Sequence, residues 1–559
     1  MQPAPPLPEV PQPPSAQPAP SPPVLPVQPD PQPRQVDVVR RQDVRPLPGQ
    51  LDEVPVFNSN SPEVIQKEGI LLSTFPPEGM QVPAAHLNFP FQGRFDLFAH
   101  HIARGVDPDD NRTLFFGVIV HNPGTEPVSL DVLQAVSYLS QDAPFVNLPS
   151  YVANPLGTVY AGPGSRTTND VLRGQRQPQW PAQVIVPPGS SQLLVNTPIP
   201  LRRLSVATDG SLPQGYIIPS PQPATPPTAT AASILGTAPV SSSSNGTSNA
   251  PAANGSTGNN AGTTSQNVAA TSTPRQPDNR PIPINGRSVL MHLSSSGPVY
   301  VASLAMYAPK VAGGGERVPT LSEWEALLRT SDVAGPRDRA PTPPDARAFF
   351  RFFYGRVAGV SQGSQWTAVA TDDNNDYLSI PQPGEAFSYV ISSVDYNTFS
   401  TGQIQSAPML VRYSDTAYRA HGNYGTKYDI SLPLHNNTDS TQRVAILFET
   451  PLQDEDLEDG LRFRDPPEEQ IFFRGTVRLR FTDDLGIPQT RYLHLVQRRG
   501  QQGNPLLRLT MPSGDRRLVE VQFIYPPDAT PPQALTIQTE QLPGLIEARS
   551  EESGAARMN

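Results

Sequence analysis

Cysteine is absent from the 559 residues, which excludes disulfides and thiolate-ligated metal sites. Lysine is nearly absent too. Lys67, Lys310 and Lys427 are the only lysines among 41 basic residues, and the rest are arginine. That bias reads as genome composition first, and as a functional choice of guanidinium second. No apolar run approaches the ~20 residues a membrane-spanning helix needs. With a net charge of −10, the chain also lacks the basic footprint of a nucleic-acid binder. The opening MQPAPPLPEV has neither the basic segment nor the apolar stretch of a signal peptide. Two expectations remain open: a protein that stays inside the cell, or a start that lies downstream of a leader.

What the chain has in excess is proline. There are 70, and 17 of them fall in the first 50 residues. Residues 1–50 therefore read as a disordered, proline-rich tail in polyproline II conformation, acting as a spacer or as a docking ligand. Residues 51–85 read as an extended lead-in carrying VPVF and GILLSTF. From 86 to 310, runs such as LFFGVIV, VSLDVL and SQLLVN, divided by NPGTEP and PPGSS, predict a first β-sandwich. It is interrupted at 219–283 by a Ser/Thr/Asn/Gly-rich insertion expected to be disordered. Residues 311–348 form a linker with a short helix over 321–330. Thr320 and Glu323 stand at capping-box spacing, and Leu321, Trp324, Leu327 and Leu328 fall on one face. Residues 349–545, with RGTVRLRF, RYLHLVQ and LVEVQFIY, predict a second sandwich, and 546–559 a flexible tail. The fold class is all-β: two β-sandwiches, Ig-like or jelly-roll-like, with a disordered tail and insertion.

The two halves share phrases. LFFGVIVHNPGTEPVSLDVL at 114–133 resembles ISLPLHNNTDSTQRVAILFE at 430–449, each a strand ending in His-Asn followed by a polar turn. Aligning further phrases pairs His100 with His421, His121 with His435, and His292 with His494. The pattern predicts one structural unit built twice. Two chemistries compete for the histidines. Imidazoles from His100, His121 and His292, and from His421, His435 and His494, suit a divalent metal in each domain. Alternatively they anchor turns, with the following Asn tolerating left-handed backbone. The absence of His-x-His or His-Glu-x-x-His spacing favours turns.

Other motifs are weaker. GVSQG at 359–363 fits a nucleophile-elbow pattern, but no helix follows it. Asp372, Asn374 and Asp376 stand at calcium-loop positions one, three and five. Tyr377 and Pro383 occupy the places that need Gly and Glu, so calcium is a minor cofactor candidate and no other is expected. DEDLEDG at 454–460 is a second acidic loop. AFFRFFYG at 348–355 is dense enough in aromatics to stack on sugars, to pack a core, or to dock a partner.

Three longer stretches carry a family resemblance: VRPLPGQLDEVPVFNSNSPEVIQKEGILLSTFPPEG, RVPTLSEWEALL followed by AGPRD, and AHGNYGTKYDISLPLHNNT. They resemble a cyanobacterial family catalogued only as a domain of unknown function, DUF3370. The resemblance spans about residues 44–543 and implies no catalytic or binding residues. It implies an exported protein of the periplasm, cell envelope or exterior. The expected role is non-catalytic, structural or binding, with envelope polysaccharide or another envelope protein as partner. The alternatives are a polysaccharide-acting enzyme, which needs two carboxylates facing across a cleft, and a metal-binding periplasmic protein.

Overall fold

Strict alternation explains the strands. In KYDISLPLH, Tyr428, Ile430, Leu432 and Leu434 are buried and the residues between them half-buried, as a period of two requires. A computed structural model describes residues 34–220, 280–347 and 351–541 of the chain. Its regular structure is almost wholly strand, with two α-helices among the described residues, α1 (Ser165–Leu172) and α2 (Leu321–Thr330).

The principal strands, in chain order, begin with β1 (Val36–Arg41) and β2 (Asp43–Arg45). There follow β3 (Pro55–Ser59), β4 (Gly69–Ser73), β5 (Phe91–Arg104), β6 (Thr113–His121), β7 (Val128–Leu139), β8 (Gln183–Val186), β9 (Ser191–Pro200) and β10 (Ile284–Tyr307). After α2 come β11 (Ala358–Gln362), β12 (Gln365–Val369), β13 (Ala386–Ile391), β14 (Lys427–His435), β15 (Gln442–Glu449) and β16 (Gly460–Asp465). The last are β17 (Ile471–Thr482), β18 (Pro488–Arg498), β19 (Pro505–Met511), β20 (Arg516–Ile524) and β21 (Gln533–Glu540).

They form two sandwiches. In the first, one sheet runs β8-β7-β10-β5-β3-β11 and the other β9-β6-β10-β4. The 24-residue β10 belongs to both. Its pairing with β5 breaks between Ser295 and Val299, and the chain then continues beside β4 and β6. Phe95, Leu97, Val289 and Met291 of one sheet meet Leu114, Phe116, Val118 and Val301 of the other in a single dry core. In the second sandwich one sheet runs β19-β15-β21-β13-β2 and the other β18-β17-β20-β14-β12. There Phe387, Ile446 and Ile537 pack on Tyr428, Val477 and Val521. Burying each such side chain contributes about 1.5–3 kcal/mol.

The same arrangement is thus built twice. Order and direction agree strand for strand: β8-β7-β10-β5 and β19-β15-β21-β13 are antiparallel throughout, and each ends on a parallel neighbour, β3 or β2. The neighbouring pairs β6–β9 and β14–β20 also correspond. The shared His-Asn phrase closes both. Asn122 Oδ1 accepts from Gly124 N (2.8 Å), and its Nδ2 donates to the carbonyls of Glu126 (2.7 Å) and Val186 (3.0 Å). Asn436 accepts from Thr438 N (3.0 Å) and donates to Ser440 O (2.9 Å) and Met511 O (2.8 Å). Both amides are fully buried and replace backbone partners where two hairpins meet.

Three expectations need correction. Residues 36–50 are not tail: β1 pairs antiparallel with β16, and β2 runs parallel to β13. Pro33 is followed by no proline until Pro46, so the N–H groups of VDVVRRQDVR are free to join ladders. The domain boundaries are not clean either. The lead-in supplies β3 and β4 to the first sandwich, and β11 joins it from beyond the linker. Conversely, Tyr151–Ala153 pairs with β18 of the second sandwich. Finally, His100 does not correspond to His421, nor His292 to His494. His100 lies on β5, whose counterpart β13 has no histidine, and His292 on β10, whose counterpart is β21. His494 lies on β18, which has no equivalent in the first sandwich, so only His121 and His435 match. Short apolar phrases resemble one another whichever strand they form. The insertion over 221–279 and the C-terminal tail lie outside the described residues.

The helices cover sheet faces turned away from the two sandwich cores. Thr320 and Glu323 make the capping box of α2, which drives Trp324 onto β6. A Cβ at Gly117 would lie 2.7 Å from the indole, so only glycine admits this approach. The polar α1, SRTTNDVL, has no sequence periodicity to announce it. It wedges between the sandwiches, with Val171 and Leu172 against Val136, Leu290 and Ile524.

Candidate functional site

A cavity of about 800 Å³ lies where the sandwiches meet. Asn58, Asn60 and Glu63, on and just after β3, form one wall. Ala529–Pro531, Phe472 and Arg499 of the second sandwich form another. The rest is mostly loop: residues 351–357, Val394, Tyr396, Asn397 and residues 420–424, with Gln453 and Gln470. This places the described part of the aromatic phrase AFFRFFYG at the cavity. Phe352 lies 5.0 Å from Tyr354 and 4.7 Å from Tyr396, whose ring is 55% exposed. A second pocket of about 310 Å³ shares the wall of Phe352, Tyr354, Tyr396 and His421.

The loops hold unusual backbone. Ser392, Tyr396, Phe399, Ser400 and Asn423 all have positive φ, +63° at Tyr396. Such geometry costs on the order of 1–3 kcal/mol per residue and persists only where neighbours enforce it. Here they do. Glu455, in the acidic loop DEDLEDG, accepts from the amides of Thr398 and Phe399 and from Thr398 Oγ1. Gln405 accepts from Ser392 N (2.6 Å), and Asn423 Nδ2 donates to Ser392 Oγ (2.8 Å). Glu455 is therefore a loop clamp rather than an open oxygen ligand.

Electrostatics follow from burial. His421 Nε2 bonds Asp395 Oδ2 at 2.7 Å, which holds that carboxylate below its usual range. Burial pushes Glu63 up against the opposing pull of Arg356, to which it is bonded. Burial also pushes the Tyr354 phenol up to about 12; its hydroxyl donates to Asp395 O (2.6 Å) and accepts from Asn397 Nδ2 (2.7 Å). Asn60 Oδ1, Asn423 Oδ1 and His421 Nδ1 are buried with no partner among the described residues.

The six candidate metal histidines are dispersed. His100 bonds Ser288 Oγ (2.8 Å) and His121 bonds Ser191 Oγ (3.1 Å), while His292 Nε2 lies 3.5 Å from Asp96. His435 stacks edge-on to Tyr377 at 4.6 Å, and His494 is buried with no hydrogen-bond partner among the described residues. Among the described residues no three His, Cys, Asp or Glu side chains are grouped to hold a metal. Of the calcium candidates, Asp372 caps its own turn through Ser379 N (2.9 Å), Asn374 adopts φ +63°, and Asp376 faces Arg516 at 3.6 Å. The GVSQG serine, Ser361, is buried mid-strand in β11, paired on both sides, and forms no elbow. Sequence reasoning missed Tyr396, Asn423, Asn60 and Glu63, because the cavity joins segments that nothing in the sequence links.

Residues 42–539 match the family model DUF3370, described as a protein of unknown function. The chain belongs to the DUF3370 family. No curated protein matches it. The DUF3370 match includes β2 and ends within β21, so it spans residues of both sandwiches and those lining the cavity. Among the described residues of this DUF3370 chain, no helix is long and apolar enough to cross a membrane.

Proposed function

We propose that this DUF3370 protein is a non-catalytic, exported component of the cell envelope that binds carbohydrate in the cavity between its sandwiches. One observation carries the reading. An open cavity of about 800 Å³ combines a cluster of aromatic rings at Phe352, Tyr354 and Tyr396 with amides at Asn60 and Asn423. Sugars offer apolar C–H faces for rings and hydroxyls for amides, and a pocket with these features is the default ligand site of a protein. The strained loop fits the same role, since outlying backbone concentrates where ligands are held. The proline-rich start would keep this head away from a surface. A polysaccharide-acting enzyme is the competing outcome.

The test is a glycan array with the full chain, followed by calorimetry on the hits with wild type and Tyr396→Ala. Retained glycans whose affinity drops with Tyr396→Ala support the reading. A blank array, or release of new reducing ends from bound glycans, overturns it. Fractionation of the native cell checks the location.

A further inference from the structure

The charges on the cavity wall are the reverse of the protein's. The chain carries −10 overall, yet the wall presents Arg351, Arg356 and Arg499 against the single carboxylate of Glu63. Two of the three guanidinium groups are engaged. Arg356 is bonded to Glu63, and Arg499 grips both oxygens of Glu468 at 2.7 and 2.9 Å. Arg351 is exposed and has neither ion pair nor hydrogen bond among the described residues. Nearby, the buried amide oxygens of Asn60 and Asn423 lack a donor. Unmade bonds of that kind cost about 1–3 kcal/mol each, and a small shift of the wall would let a ligand hydroxyl supply the donor. A free guanidinium selects a planar or tetrahedral oxyanion, which it holds through paired N–H donors.

Building on the carbohydrate reading, we propose that the cavity takes an acidic saccharide, its anionic group on Arg351 and its hydroxyls toward the amides of Asn60 and Asn423. Tyr396 supplies stacking that does not distinguish acidic from neutral sugars. Arg351 is the determinant of charge selectivity.

The experiment is calorimetry on the full chain with three probes of equal length: oligogalacturonate, a sulfated oligosaccharide and a neutral cello-oligosaccharide. At low salt an acidic probe is expected to bind up to about ten-fold tighter than the neutral one. That advantage should shrink at 0.5 M salt, beyond the reach of an exposed ion pair (about a 10 Å screening length at 0.1 M). Arg351→Gln should abolish the preference while leaving the melting temperature unchanged. Tyr396→Ala should weaken acidic and neutral probes alike. Comparing the two acidic probes tells a carboxylate site from a sulfate site. Equal affinity for acidic and neutral probes, unchanged by Arg351→Gln, overturns the charge assignment and leaves the carbohydrate reading standing. Binding of none of the three overturns both.

Discussion

The two sandwiches fill the same slot in different ways. Beside β6 of the first lies the second half of β10, antiparallel; beside β14 of the second lies β12, parallel. In the first sandwich the strand that completes one sheet simply runs on into the other. In the second, β21 stops, and the vacancy is filled from the segment after the linker. The ladder needs a neighbour there, and chain direction is secondary, since parallel pairing is only slightly weaker. The elaborations differ as well. The first sandwich adds α1 and spends it on the interface, while the second adds β16, β17 and β18, which have no counterpart. Repeated frame and private insertions together make the cavity. Glu63 and Asn60 come from beside one frame, and Arg499 and Phe472 from insertions in the other.

The largest expected effects test whether frame and insertion are one cooperative body. Phe473 on β17 is fully buried and rings Phe448 (4.7 Å) and Tyr525 (5.9 Å). Phe91 on β5 is likewise fully buried in the first core, stacked on Phe95 at 4.6 Å. Either residue changed to Ala should cost about 3–5 kcal/mol. Because β11 and residues 151–153 cross between the sandwiches, one urea transition is expected in both variants. Fluorescence follows it from both sides, with Trp180 and Trp324 in the first sandwich and Trp366 in the second. Two separated transitions in Phe473→Ala would show that the strand exchanges do not couple the bodies.

A finer comparison concerns the amides that close the frame. Asn122→Ala and Asn436→Ala each remove a fully buried side chain serving backbone groups of two hairpins. About 2–3 kcal/mol is expected from each, measured by chemical denaturation. If the frame is equivalent, the losses should agree within about 1 kcal/mol. A large loss at one site and none at the other would mean that the likeness is only geometric.

These two asparagines also mark how much the sequence discloses. HNPGTEP and HNNTDST announce the same turn because that part of its chemistry is local: each amide serves groups two and four residues on, and only its bond to Val186 or Met511 depends on the fold. The capping box of α2 is legible for the same reason. The strand partners are not. Nothing in VDVVRR names Gly460–Asp465 as its mate, and the polar SRTTNDVL becomes helical because tertiary packing of Val171 and Leu172 outweighs weak propensity. The cavity is the extreme case. Its walls come from loops and strands of both sandwiches, and the one phrase that pointed there, the aromatic run at 348–355, reads first as core packing until Tyr396 and Asn423 are placed beside its described part.

The smallest effect contrasts two buried imidazoles, one in each sandwich. His101 bonds Ser59 Oγ (2.9 Å) and Pro62 O (2.8 Å), whereas neither nitrogen of His494 has a hydrogen-bond partner among the described residues. Burial lowers both to about 4, below the ~6.5 of an unfolded chain. The unfolded state therefore binds protons that the folded state refuses as pH falls from about 6.5 to 4. Stability is complete above that window and declines through it. Replacing either histidine by Leu should remove its share of the acid-side loss. At pH 7.5 the signs should differ. His101→Leu strands a hydroxyl and a carbonyl and should cost about 1–3 kcal/mol, while His494→Leu strands nothing and should gain on the order of 1 kcal/mol. Denaturation at pH 7.5 and 5 resolves the four values. A loss at pH 7.5 for His494→Leu would mean that its nitrogens are served by groups the fold does not display, and that the second sandwich is as fully bonded as the first.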